Sequence, residues 1–271
     1  VPGSICVNDG AGTPLAFSGG FPGSITLTDP GPNQGALGQG QNALGVPSAT
    51  GTNIAIITYT VTNDLTVTPR QTLTNTATLT NYAAIEGGPN FTPLTAASDL
   101  TDTASVTIAD PLSAKVLAGT EIDYTLSNPS NPNKTTQAVI GELLTYQLRV
   151  TVPEGVMNNV SIADTLDAGL AFVDVTSVTV SSGDVNYTNP ITIGPASPSP
   201  NPTVGANGIS ATFNRGTVTY SNTNNAVAET ITITYRAVVL NTSINQAGQL
   251  RNNSAVLSFT GGTLPAVSAP D

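Results

Sequence analysis

Between Leu144 and Val152 the chain alternates without a break. Leu144, Tyr146, Leu148, Val150 and Val152 take one side, and Thr145, Gln147, Arg149 and Thr151 take the other. A period of two is the signature of an extended strand with one buried and one wet face. Pro153-Glu154-Gly155 ends the run with turn chemistry. Val160, Ile162 and Asp164 then share a face of a second strand, and Asp167-Ala168-Gly169 turns the chain into Leu170-Ala171-Phe172-Val173. An aspartate stands where the alternation requires an apolar side chain.

The same signal predicts strands over Ser24–Thr28, Ile54–Val61, Thr72–Thr80, Thr103–Ala109, Ser177–Val180, Ile209–Phe213, Thr217–Tyr220, Ile231–Val239 and Asn253–Phe259. No window carries a convincing helical period. At 39% apolar and 9% charged, the 271 residues are too apolar and too weakly charged for disorder. Many short alternating strands separated by turns predict an all-β chain of immunoglobulin-like antiparallel β-sandwich modules in tandem. Asp110-Pro111 is the expected boundary. Residues 1–50 form a Gly- and Pro-rich segment contributing to the first module. A partial module covers 51–110, a complete one 111–262, and a tail 263–271. The Gly-, Ser- and Pro-rich run from Gly194 to Pro202 reads as an extended loop.

Charge and composition exclude several functions. A net charge of −10, with lysine only at positions 115 and 134, repels phosphate backbones and excludes nucleic acid. No apolar run is long enough for a membrane span. Without histidine or a cysteine cluster, no histidine triad or transition-metal site is expected, and no cofactor. Asp99 with Asp102, and Asp184 with Asn186, lack a calcium-loop pattern and read as surface acids. The glycines at positions 35, 38 and 40 follow no strand and lack the lysine of a nucleotide loop. Cys6, the sole cysteine, is expected to be a free thiol or to pair with another chain. The chain begins without Met or a leader, which reads as a processed or excised segment. Sequons place possible glycosylation at Asn90, Asn133, Asn159, Asn186, Asn241 and Asn252.

An internal repeat is the second informative feature. Ile57-Thr58-Tyr59 through Leu73-Thr74-Asn75-Thr76-Ala77 matches Ile233-Thr234-Tyr235 through Arg251-Asn252-Asn253-Ser254-Ala255, and each copy is followed by a Gly-Gly pair. The first copy lacks a counterpart of Ile140–Val173 ahead of it. The second is expected to stop before any counterpart of Thr103–Ala109. Either the chain is a fragment of a longer polypeptide or each subunit completes its sheets with a neighbour's strand. Scarce lysine leaves strand edges little protection from pairing.

The runs Ile140-Gly141-Glu142-Leu143-Leu144-Thr145-Tyr146, Val152-Pro153-Glu154-Gly155, Asp164-Thr165-Leu166-Asp167-Ala168-Gly169-Leu170 and Asn253-Ser254-Ala255 resemble a widespread prokaryotic cell-surface tandem repeat, long known only as a conserved domain of unknown function. They are also similar to the related isopeptide-forming fimbrial domains. The resemblance covers Leu112–Gly262 well and Ile54–Ala109 partly. It implies a bond between an early-strand lysine and a last-strand asparagine, assisted by a buried acid: Lys115, Asn253 and Asp164, with Lys134 as the second lysine candidate. An apolar pocket favours the neutral amine and the protonated acid that this chemistry needs. Asn75 takes the matching place in the first module, with no lysine upstream; its bond would have to come from another subunit. The competing reading makes Asp164 a turn cap, Asn253 a ligand of loop backbone and Lys115 a solvated charge.

The expected function is therefore that of a non-enzymatic, extracellular or cell-surface structural protein. It would be a unit of a fimbria-like fibre, partnered by copies of itself through strand edges or strand donation. The alternative is an adhesin that binds glycan or a host protein through sandwich loops.

Overall fold

The computed structural model describes residues 4–28, 36–38, 49–62, 64–83, 88–121, 137–195, 201–221 and 229–270. Lys134 and Asn133 lie outside the described residues. The chain divides into two compact units, residues 1–63 with 73–106, and residues 64–72 with 107–271.

The first unit carries β1 (Cys6–Asp9), β2 (Phe17–Gly19), β3 (Ile25–Leu27), β4 (Ala55–Thr58), β5 (Thr72–Thr78) and β6 (Thr101–Thr107). They pair as three two-stranded ribbons, β1 with β4, β2 with β3 and β5 with β6. A 3₁₀ turn at Thr92–Leu94 and one helical turn, α1 (Ala97–Leu100), precede β6. Among its described residues Val7 is the one buried apolar side chain. Cys6 is exposed and free.

The second unit continues with β7 (Leu112–Thr120), β8 (Leu143–Val152), β9 (Gly155–Leu166), β10 (Leu170–Val180), β11 (Val185–Tyr187), β12 (Gly194–Pro195), β13 (Thr203–Val204), β14 (Ser210–Tyr220), β15 (Glu229–Val239), β16 (Asn252–Phe259), β17 (Gly262–Thr263) and β18 (Val267–Pro270). One sheet has the order β12-β10-β15-β8-β7. The other runs β11-β14-β9-β16-β17, with β13 beside β14 and β18 beside β16. The pairings are antiparallel. The inward residues of both sheets, among them Leu144, Leu148, Ile162, Phe213, Ile233 and Leu257, form one apolar cluster. This is a β-sandwich, and the alternation from Leu144 to Val152 is its β8, buried at every second residue. Among the described residues no helix is long and apolar enough to cross a membrane.

The turn after β8 depends on a close approach. Val156 donates its N–H to the Val67 carbonyl at 2.8 Å, and a Cβ on Gly155 would stand 2.2 Å from that oxygen. Gly155 also has φ +106°, a region that glycine enters freely.

Three expectations change. The strands expected at Leu170–Val173 and Ser177–Val180 are one, β10, and those at Ile209–Phe213 and Thr217–Tyr220 are one, β14. Register slips lie inside both. Each slip shifts the phase of the alternation, so one strand reads as two. The second repeat does acquire a last strand: β18 pairs with β16 as β6 pairs with β5. At four residues it is too short for a period to register.

Candidate functional site

Four strands bring four polar side chains together in the core of the second unit. Lys115 comes from β7, Asp164 from β9, Tyr235 from β15 and Asn253 from β16. The Lys115 and Asp164 side chains have no exposed surface, and Asn253 and Tyr235 are equally enclosed. Lys115 and Tyr235 lie in one sheet, Asp164 and Asn253 in the other, so the cluster spans the sandwich.

The Lys115 Nζ donates to Asp164 Oδ2, to Asn253 Oδ1 at 2.5 Å and to the Tyr235 hydroxyl at 2.8 Å. That hydroxyl donates in turn to Asp164 Oδ2 at 2.9 Å and accepts from Asn253 Nδ2 at 2.7 Å. Tyr235 thereby fixes which end of the Asn253 amide faces the lysine. Aromatic rings wall the site. The Nζ lies 5.2 Å from the centroid of Tyr146 and 5.3 Å from that of Tyr235. Tyr235 stacks on Tyr146 and on Phe172.

Burial acts on the acid. Asp164 Oδ1 is enclosed and has no hydrogen-bond partner, so the ionised carboxylate would keep an unsolvated charge. Desolvation raises the Asp164 pKa above the usual carboxylate range, against the opposing pull of Lys115 and of its bonds to Lys115 and Tyr235. Desolvation also raises the Tyr235 pKa well above that of a free phenol, so the phenol stays a donor.

The three residues named by the resemblance thus meet in one place. Two tyrosines were missed, because Tyr146 and Tyr235 read as ordinary apolar positions of β8 and β15. The signal that could have found Tyr235 lies in the repeat, where Tyr59 and Tyr235 precede Asn75 and Asn253 at similar spacing. Of the sequon asparagines, Asn252 is exposed next to buried Asn253, and Asn159 donates from Nδ2 to the Thr260 hydroxyl at 2.9 Å. Among the described residues no three His, Cys, Asp or Glu side chains are grouped to hold a metal.

No family model matches the chain, and neither does any curated protein. Among solved structures, it is similar to the full-length RrgB pilus protein of Streptococcus pneumoniae. The identity is 15% over 96% of this chain and 42% of that one, with a TM-score of 0.34. It is also similar to the full-length major pilin SpaD of Corynebacterium diphtheriae, at 12% identity over 59% of this chain and 34% of that one, TM-score 0.31. A third is the collagen adhesin of S. aureus, at 11% over 66% and 59%, TM-score 0.30. The chain spans less than two thirds of the length of each. Such low scores leave the chemistry of the site to its own geometry.

Proposed function

We propose that the chain is an extracellular structural protein, a unit of a surface fibre built through strand edges or strand donation. Its second unit is locked by an amide between Lys115 and Asn253. The observation that carries this reading is the buried contact of Lys115 Nζ with both Asp164 and the Asn253 side-chain carbonyl.

The bond forms in balanced steps. One proton passes from the Lys115 ammonium to Asp164, which burial favours as the neutral acid. The freed Nζ lone pair attacks Asn253 Cγ while the protonated Asp164 polarises the amide, and the Tyr235 hydroxyl, which accepts from Nδ2, holds the leaving nitrogen. The Nζ–Cγ bond forms, a second Nζ proton is relayed through Asp164 to Nδ2, the Cγ–Nδ2 bond breaks and ammonia leaves. Asp164 ends as it stood after the first transfer, so no external reagent is consumed. A buried ion pair by itself is weak support for stability, since desolvation offsets its attraction. Conversion to a neutral amide removes that cost and ties β7 of one sheet to β16 of the other.

Intact mass under denaturing conditions tests this. The expected mass is that of the plain sequence less one ammonia, restored to the full value in Asp164→Ala and Asn253→Ala. An unreduced mass for the parent chain overturns the crosslink. Uniform filaments in micrographs of native material support the fibre role; dispersed monomers binding immobilised glycan would replace it with adhesion.

A further inference from the structure

The loop between β15 and β16 carries a latch that the bond-forming steps do not use. Asn245 engages every polar atom of its side chain. Its Nδ2 donates to the Gly169 carbonyl at 2.8 Å and to the Leu240 carbonyl at 2.7 Å, and its Oδ1 accepts from Arg251 Nε at 2.8 Å. Arg251 also donates from Nη2 to the Ile244 carbonyl, and its Nη1 lies 3.6 Å from Asp167 Oδ1. Three side chains thus tie this loop to the turn between β9 and β10. The fit leaves no room at Gly169, where a Cβ would stand 2.1 Å from Asn245 Oδ1.

The strands that meet at this latch are the ones that carry the site. Asp164 lies three residues before Asp167, Tyr235 five before Leu240, and Asn253 two after Arg251. The Asp167 N–H donates to the Asn252 carbonyl at 3.0 Å, and Asn253 faces Leu166 in the ladder that begins there. Asn253 is the second residue of β16, at a strand end, where local opening costs least. β18 holds one edge of that end, and the latch secures the edge shared with β9. Lys115 arrives from β7, a strand outside the latch.

We infer that Asn245, Arg251 and Asp167 are positioning residues for the Lys115–Asn253 bond. They hold the start of β16 against the end of β9, so that Asn253 Cγ meets the amine and the acid together. This rests on the crosslink proposed above and names the device that sets its rate. The hydrogen bonds of the latch go to one another and to backbone, so these residues act through Asn253 rather than on the reacting atoms. Misplacing reacting atoms by about 1 Å costs on the order of 100-fold in rate. Once formed, the amide fixes Asn253 covalently. The latch is therefore needed on the way to the bond and not after it.

The test is the time course of ammonia loss in the freshly synthesised full chain, sampled into denaturant and read by intact mass. Asn245→Ala should slow the loss by about 10- to 100-fold and still reach the linked mass. Asn245→Asp is the gentler variant: it keeps Oδ1 for Arg251, loses the donors to Gly169 and Leu240, and should slow the loss in the same direction. Val218→Ala controls for stability alone, since it truncates a buried core residue opposite Met157, away from Asp164 along β9. With denaturation midpoints compared in the Lys115→Met background, it should lower the midpoint at least as much as Asn245→Asp and keep the parent rate. Both Asn245 variants at the parent rate, or Val218→Ala slowed as much as they are, overturn the inference. A parent chain that never loses ammonia sinks the crosslink and the latch's role together, whereas prompt loss in parent and variants alike sinks only the latch.

Discussion

β5 and β16 carry nearly the same sequence pattern and have opposite fates. Each sets an asparagine and a run of small and apolar residues on one face and hydroxyl residues on the other. β16 is flanked by β9 and β18 and buries its face; β5 has one strand beside it among the described residues and stays exposed along nearly its whole length. Alternation creates a face to be buried and cannot create its cover. A two-stranded ribbon is marginal by itself, whereas β16 draws on the apolar cluster of a full sandwich.

The largest expected effect separates the two units at the lysine. Lys115→Met in the second unit should abolish the ammonia loss and lower stability by about 5 kcal/mol. That is the entropic worth of closing a loop of this order in the unfolded chain, since Lys115 and Asn253 are 138 residues apart. Intact mass and denaturant midpoint check it together. A variant that loses the mass change and keeps the midpoint would reduce the bond to an ornament of an already stable sandwich.

Much of the second unit was legible because burial and alternation agree there. Asp164 and Asn253 stood out as polar residues on apolar faces. β7 was hidden for the opposite reason. It turns Leu112 and Val116 outward and Ser113, Lys115 and Leu117 inward, and a register slip falls between Leu117 and Gly119. Its apolar residues therefore mark the wrong face. Such local conflict is expected where a residue is placed for chemistry and the rest of the fold holds it there. The tyrosine hydroxyls were illegible because a buried ring and a buried ring with a working phenol look alike in a hydropathy pattern.

Tyrosine sharpens the comparison next. Tyr235→Phe leaves the Asn253 amide and Asp164 each short of a buried partner, a loss of about 2 kcal/mol. It should also slow bond formation, seen as residual full-mass chain in freshly folded protein. Wild-type kinetics in this variant would remove Tyr235 from the chemistry and leave it a packing residue.

The pH response follows from the raised Asp164 pKa. Between the ordinary carboxylate value of 3.8 and the raised folded value, the folded state holds a proton that the unfolded chain has released. That contribution to stability is complete below the ordinary value and is lost as pH rises through the folded one. In Lys115→Met the cation that opposes the shift is gone, so the window widens. Stability there should fall with pH by at most about 1.4 kcal/mol per unit, and Asp164→Asn in the same background should flatten the profile. A profile that rises with pH would mean that Asp164 is ionised in the fold.

The smallest effect is the most discriminating. Tyr59→Phe removes the counterpart hydroxyl from a pair whose asparagine is exposed. In the isolated chain the denaturation midpoint should move by no more than about 0.5 kcal/mol, as for other surface changes, because water replaces the lost bond. A shift as large as that of Tyr235→Phe would mean that the first unit already has a packed core in solution, and the contrast between β5 and β16 would collapse. If the midpoint stays put, the Tyr59–Asn75 pair is open to water as the exposure of β5 requires, and the contrast with the enclosed Tyr235–Asn253 pair holds.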